Sequence, residues 1–158
     1  MTSRGKYCFP PIWRVIIVSL LVVFLPFLRQ RSVRGQRDIV VDDHRLVVEI
    51  AKTAKEKEQG LSDRKNLCSD CGMLFVFDQE GFYPFWMRRM YFDIDILWII
   101  DDRVVDITFA AKAPPKEEFV APKTVYQSKF PVNKVLEVNA GWVEKNGIKT
   151  GDVVRLDL

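Results

Sequence analysis

Beyond Arg37 the chain shows almost no helical periodicity; its apolar residues fall into short β-branched and aromatic runs, each closed by a turn signal. This confines the fold to a β-rich architecture. Arg45-Leu-Val-Val-Glu-Ile-Ala51, Met73 to Phe77, Phe82 to Met87, Phe92 to Ile100, Arg103 to Phe109, Lys134 to Val138 and Val153 to Leu156 read as strands. Asp78-Gln-Glu-Gly81 reads as a hairpin connection and Asp101-Asp102 as a turn. Thr53 and Glu56 have the spacing of a capping box and open a short helix that ends near Gly60. Asn139 caps a second short helix through Asn146, with Gly147 at its end. Residues 111–124 contain Pro114, Pro115 and Pro122 and follow no pattern. They exceed the usual connection of about 4–6 residues, as lids and binding loops do. The expected fold is mainly β: a small antiparallel β-sandwich or barrel with one or two short helices over residues 38–158.

Ahead of this domain lies a different kind of sequence. Residues 1–11 form a basic N-terminal segment, 12–28 an apolar run and 29–37 a basic linker. The charge-free part of the run, Val15 to Leu28, has 14 residues; counting back through Arg14 to Ile12 gives 17. A bilayer span needs about 20 apolar residues, with about 17 as the lower edge, and Arg14 can snorkel to the interface. A secretory signal would fit the 14-residue core, but no small-x-small cleavage site follows Leu28. An N-terminal transmembrane anchor is therefore expected, with a cleaved signal as the alternative.

Charge follows the same division. Residues 1–37 hold seven basic side chains and no acid, which leaves 17 bases against 21 acids in the rest, a formal charge of −4. The basic character belongs to the tail, so nucleic acid is not an expected partner of the domain.

A single histidine, His44, and three cysteines exclude His-rich zinc sites and four-cysteine cages, and no cofactor or metal is expected. Cys68-Ser-Asp-Cys71 permits a disulfide in a turn, half a metal site or a redox pair. It precedes a strand rather than a helix N-terminus, so a structural disulfide comes first if the domain lies outside the cytoplasm. In a regular strand from Phe92, Asp93 and Asp95 share one face about 7 Å apart. They suit an acid/base pair or the rim of a strand, and Asp95 lies deeper in the apolar run, where an acid needs partners. Phe82, Tyr83, Phe85, Trp86, Tyr91, Phe92 and Trp98 suit a core or, with Met87 and Met90, an apolar pocket.

Several segments stand together in a familiar order: Gly60-Leu61, Cys71-Gly-Met-Leu-Phe-Val-Phe77, Phe85-Trp-Met-Arg88, Ile94-Asp-Ile96, Val135-Leu-Glu-Val-Asn-Ala-Gly141, Gly147-Ile148 and Gly151-Asp152. From about Leu46 to Leu156 the chain thus resembles the domain of unknown function 192 family, also called uncharacterised protein family 0127. The resemblance implies a small β-rich sandwich outside the cytoplasm, behind a signal peptide or single anchor, and brings no agreed activity. Asp95 matches the family's aspartate and, with Arg88, is the pair the resemblance carries over. Arg88-Arg89-Met90 stands where the family usually has a polar run such as Lys-Asn-Thr, and Asp93 where proline is frequent. The cysteines lie outside the family pattern, as a local staple would.

The expected function is a membrane-tethered extracytoplasmic module that binds a small molecule or an envelope protein through Trp86, Arg88 and Asp95, lidded by residues 111–124, without catalysis. The alternatives are an envelope enzyme using Asp93 and Asp95, and a thiol–disulfide protein using Cys68 and Cys71.

Overall fold

The computed structural model describes residues 35–156. The expected transmembrane helix and most of the basic linker lie outside the described residues. Among the described residues no helix is long and apolar enough to cross a membrane.

The chain runs β1 (Gln36–Val41), β2 (His44–Ala51), α1 (Ala54–Gln59), β3 (Cys71–Gly81), β4 (Phe85–Trp86), β5 (Ile94–Ile100), β6 (Arg103–Ala111), a 3-10 turn (Lys116–Glu118), β7 (Val125–Tyr126), β8 (Val132–Asn139), α2 (Trp142–Lys145) and β9 (Val154–Leu156). Two hairpins close on two-residue Asp-Asp turns. Asp42 and Asp101 take the left-handed conformation there, with φ of 55° and 52°. Positive φ suits the right-handed twist of the flanking strands, and aspartate tolerates it better than most residues.

Seven strands form one sheet in the order β6-β5-β8-β3-β2-β1-β9, and β4 and β7 form a separate two-stranded ribbon. The sheet is mixed, not wholly antiparallel: β2 and β3 pair in parallel, Val47 opposite Cys71 through Ala51 opposite Phe75. Parallel neighbours need a crossover, and residues 52–70, with α1 inside them, supply it. The two edges approach each other. Arg103 on β6 bridges antiparallel to Val153 beside β9, and Val104 N donates to Asp152 O at 3.0 Å. The sheet thus curls into a partly closed barrel.

Several elements differ from the sequence expectation. β1 begins at Gln36, inside the segment expected as linker, because Ile39 and Val41 face the core while Gln36 to Asp38 lie on the sheet edge. β3 continues through Asp78 to Gly81, so the expected hairpin connection is strand, with a register shift before Gly81. The strand expected from Phe82 to Met87 shortens to Phe85–Trp86, and residues 111–124 lead into β7, which pairs with it. α2 starts at Trp142 behind Gly141, whose φ is 82°, instead of being capped by Asn139.

The curled sheet buries apolar residues on both faces. The enclosed face draws on all seven strands and is aliphatic: Ile39, Val41, Leu46, Val48, Leu74, Leu97, Ile99, Val104, Leu136, Val138 and Val154, plugged by Trp142 and Val143 of α2 and by Ile148. The outer face of β3, β5 and β8 carries Met73, Phe75, Ile94, Ile96, Trp98, Val132 and Val135. It is covered by Leu61, Met87 and Met90 from the connections. Each fully buried Leu, Ile or Phe contributes about 1.5–3 kcal/mol, so both faces are needed to hold a domain of this size.

Candidate functional site

The outer face has an opening in its cover. One bank is α1. The Thr53 Oγ1 accepts from Glu56 N at 3.3 Å and Glu56 Oε2 accepts from Thr53 N at 2.8 Å, so the capping box read from the sequence is formed. The helix ends at Gly60, whose Cα approaches the Phe75 ring so closely that a Cβ there would lie 3.3 Å from Cζ. A side chain at this position would require the ring to give by a small amount, and the φ of 48° favours glycine as well. The end of the helix is therefore held close to β3, and Lys57, Glu58 and Gln59 lie along the rim.

The other bank is residues 83–90. Tyr83 stacks on Phe77 with ring centroids 3.6 Å apart. Phe85 stands edge-on to Phe75 at 4.9 Å and to Trp98 at 5.5 Å. Ser62 Oγ donates to Arg88 O at 2.7 Å, and Asp63 N donates to Arg89 O at 2.9 Å, tying this bank to the segment after α1. Between the banks lies a cleft of about 230 Å³, walled by Phe75, Phe77, Tyr83, Phe85, Trp86 and Met90. Lys57 Nζ lies 4.3 Å above the centre of the Phe77 ring, so the wall already carries a cation on one aromatic face.

Glu137 also lines this cleft. It sits on β8, opposite Met73 of β3 and Ile96 of β5, in the middle of the sheet. It is only 7% exposed, and its carboxyl has no hydrogen-bond partner among the described residues. Burial pushes the carboxyl up to about 8, while the Arg64 guanidinium pulls it the other way. Arg64 does not neutralise it by contact, since that guanidinium forms two hydrogen bonds to Glu49, at 2.5 and 2.8 Å. Those bonds hold the Glu49 carboxyl below its ordinary value.

The residues expected to form the site are dispersed. Trp86 lines the cleft and is 46% exposed at its mouth. Arg88 lies behind the wall; its guanidinium is 3.6 Å from Glu58, and its Nε is buried without a partner. Asp95 is on the enclosed face, 1% exposed. Its two oxygens accept from Ala110 N at 2.9 Å and from Val143 N of α2 at 3.1 Å. The acid deep in an apolar strand thus has the partners its burial demands, and both are backbone amides. Trp86, Arg88 and Asp95 do not converge.

Asp93 precedes β5 and accepts from Lys112 Nζ at 2.7 Å and Ala113 N at 2.8 Å. Burial raises its carboxyl, but these bonds outweigh that and hold it below the ordinary value. Asp93 and Asp95 each have their own donors, and neither lines the cleft. Cys68 and Cys71 form a disulfide with Cα atoms 5.1 Å apart, in the turn leading into β3. Asn139 Nδ2 donates to Cys68 O at 2.7 Å and fixes this turn to β8. Residues 111–124 do not cover the Glu137 cleft. They lie against residues 89–91, with Arg89 N donating to Phe119 O and Tyr91 edge-on to Phe119.

Sequence reasoning passed over Glu137 as a site residue. The signal was present: an acid between Leu136 and Val138 is as deep in an apolar strand as Asp95 is. Alternation places it on the face of Val135, opposite that of Leu136 and Val138.

The fold and site define a small mixed-sheet β-domain with an aromatic cleft lined by a buried acid that has no partner among the described residues. The chain belongs to the DUF192 family, described as "Uncharacterized ACR", whose model matches residues 37–156. No curated protein matches the chain significantly. Two crystal structures are similar to it. A provisionally assigned transcription regulator from Sinorhizobium meliloti 1021 has a TM-score of 0.70 and 28% identity, over 80% of this chain and 98% of that one. A protein of unknown function from Novosphingobium aromaticivorans DSM 12444 has a TM-score of 0.69 and 30% identity, over 79% of this chain and 89% of that one.

Proposed function

We propose that this domain is a binding module whose ligand is a small molecule seated in the cleft between α1 and residues 83–90. The observation that carries this reading is Glu137: a carboxyl lining an aromatic cleft with no donor to satisfy it among the described residues. A carboxyl largely withdrawn from water and without a donor is costly to ionise, and a ligand that supplies donors recovers part of that cost on binding. The rest of the cleft has the composition of ligand sites, mostly aromatic walls with few polar groups. At about 230 Å³ it is smaller than the roughly 300–1,000 Å³ of sites for drug-sized molecules, so the ligand is small.

Trp86 takes the role of an aromatic rim residue in this reading. Arg88 positions the wall through Glu58 and Ser62, and Asp95 holds α2 from the other face. The arginine-flanked apolar run at residues 12–28 supports tethering to a membrane, and the Cys68–Cys71 disulfide supports a location outside the cytoplasm. The formal charge of −4 beyond residue 37 supports a partner other than nucleic acid.

A small-molecule fragment screen by NMR tests the cleft. Hits are expected to shift the signals of Phe75, Phe77, Phe85, Trp86 and Glu137 together. Hits scattered over the surface would contradict it. A membrane-impermeant thiol reagent on intact cells tests the location, with labelling of Cys68 and Cys71 expected only after reduction.

A further inference from the structure

The cleft reading leaves the chemistry of the ligand open, and the surroundings of Glu137 narrow it. The other strongly buried acid, Asp95, receives two N–H donors from the chain. Partly buried Asp93 and Glu49 also receive two each, and in both of those the donors include a cationic side chain. Glu137, 7% exposed, receives none among the described residues. Its unmet requirement is for several donors, best supplied together with positive charge, because a carboxylate in apolar surroundings is favoured only when paired.

The walls present the same preference. Phe75, Phe77, Tyr83, Phe85 and Trp86 surround the space, and aromatic faces attract cations. The one ammonium in reach, that of Lys57, lies over the Phe77 face at the rim and forms no ion pair with Glu137. The remaining charged groups around the acid are engaged as well: Arg64 by Glu49, and Glu58 at the rim by Arg88. No cation of the described chain fills the position that the carboxyl and the rings define.

We propose that the cleft takes a small organic ammonium ion, its N–H groups donating to the Glu137 carboxylate and its apolar body lying against the aromatic walls. This rests on the reading of the cleft as a ligand site. With burial pushing the Glu137 carboxyl up to about 8, pairing at pH 7 releases a proton: the carboxyl O–H bond breaks, the proton passes to solvent, and the ammonium keeps its own hydrogens.

Calorimetry of the full chain near pH 7 with 2-phenylethylammonium and its neutral analogue 2-phenylethanol tests the proposal, in two buffers of different ionisation enthalpy. The expected result is at least about tenfold tighter binding of the ammonium and release of close to one proton, both lost in Glu137→Gln. Glutamine has the same shape and removes no hydrogen bond of the chain, so the variant retains the fold. In Trp86→Ala both probes should weaken alike. Equal or tighter binding of the alcohol without proton release overturns the ammonium class and leaves the cleft as a site for neutral hydrogen-bond acceptors. Binding of neither probe at up to roughly millimolar concentration overturns the class and the cleft reading together.

Discussion

Asp95 and Glu137 occupy neighbouring strands in adjoining register, Asp95 opposite Val138 and Glu137 opposite Ile96, yet they face opposite sides of the sheet. Both are acids in apolar strands, and both are almost wholly buried. On the enclosed face Asp95 ties β6 to the start of α2 through two amides. On the outer face Glu137 lines the cleft and receives no hydrogen bond among the described residues. The difference separates an acid that builds the fold from one that the fold maintains at a cost. A chain selected for stability alone would place an apolar residue at position 137, so the cost points to function on that face.

The largest effect should come from breaking the satisfied side of this pair. Asp95→Ala leaves two buried amides without an acceptor and is expected to destabilise the domain by about 3–5 kcal/mol in urea unfolding. Asp95→Asn keeps acceptor capacity and should lose less. If the alanine variant unfolds like the parent, Asp95 is not the tie between β6 and α2.

Glu137 should behave in the opposite way. Its folded value, about 8, stands above the ordinary 4.5, so the folded state binds this proton more tightly than the unfolded chain does. Stability from the neutral form is fully present below about pH 4.5 and lost as pH rises through about 8. Glu137→Gln removes that loss and should gain on the order of 4 kcal/mol on the parent between pH 5 and pH 9. Glu49 and Asp93 are shifted down, so their contributions disappear only as pH falls through their lowered values, on the acid side of this window. An unchanged pH profile in Glu137→Gln would dissolve the contrast between the two acids.

Smaller effects sharpen it. Cys68→Ser opens a very short loop and should cost roughly 2 kcal/mol without altering ligand binding, since the pair lies outside the cleft. Trp86→Ala, at an exposed rim position, should change stability by less than about 0.5 kcal/mol and weaken binding in the cleft. The reverse pattern for either variant, binding lost in Cys68→Ser or stability lost in Trp86→Ala, would show that the cleft's boundaries are drawn wrongly.

Much of the strand content was legible because alternation and turn residues are local signals. The α1 capping box, the Asp101-Asp102 turn and the strand expected from Phe92 to Ile100, which begins at Ile94, could be read without any partner. The parallel pairing of β2 with β3 could not, because it depends on where a crossover returns the chain. β1 was hidden by Gln36-Arg37-Asp38, polar residues that continue the basic linker's composition while serving as a sheet edge. The aromatic cluster was legible as a group, but core and cleft differ only by whether another segment closes over them. Asp95 drew attention through a motif and its apolar neighbours. Glu137 has similar neighbours, and only the packed structure shows which acid receives donors.

The most direct measurement is a titration of the Glu137 side-chain carboxyl by ¹³C NMR in the ligand-free full chain. Ionisation near pH 8 is predicted, with the carboxyl neutral at pH 6. Ionisation near the ordinary 4.5 would mean that the acid is solvated or already paired, and the claim that this face of the sheet holds an unsatisfied acid for a ligand would fail.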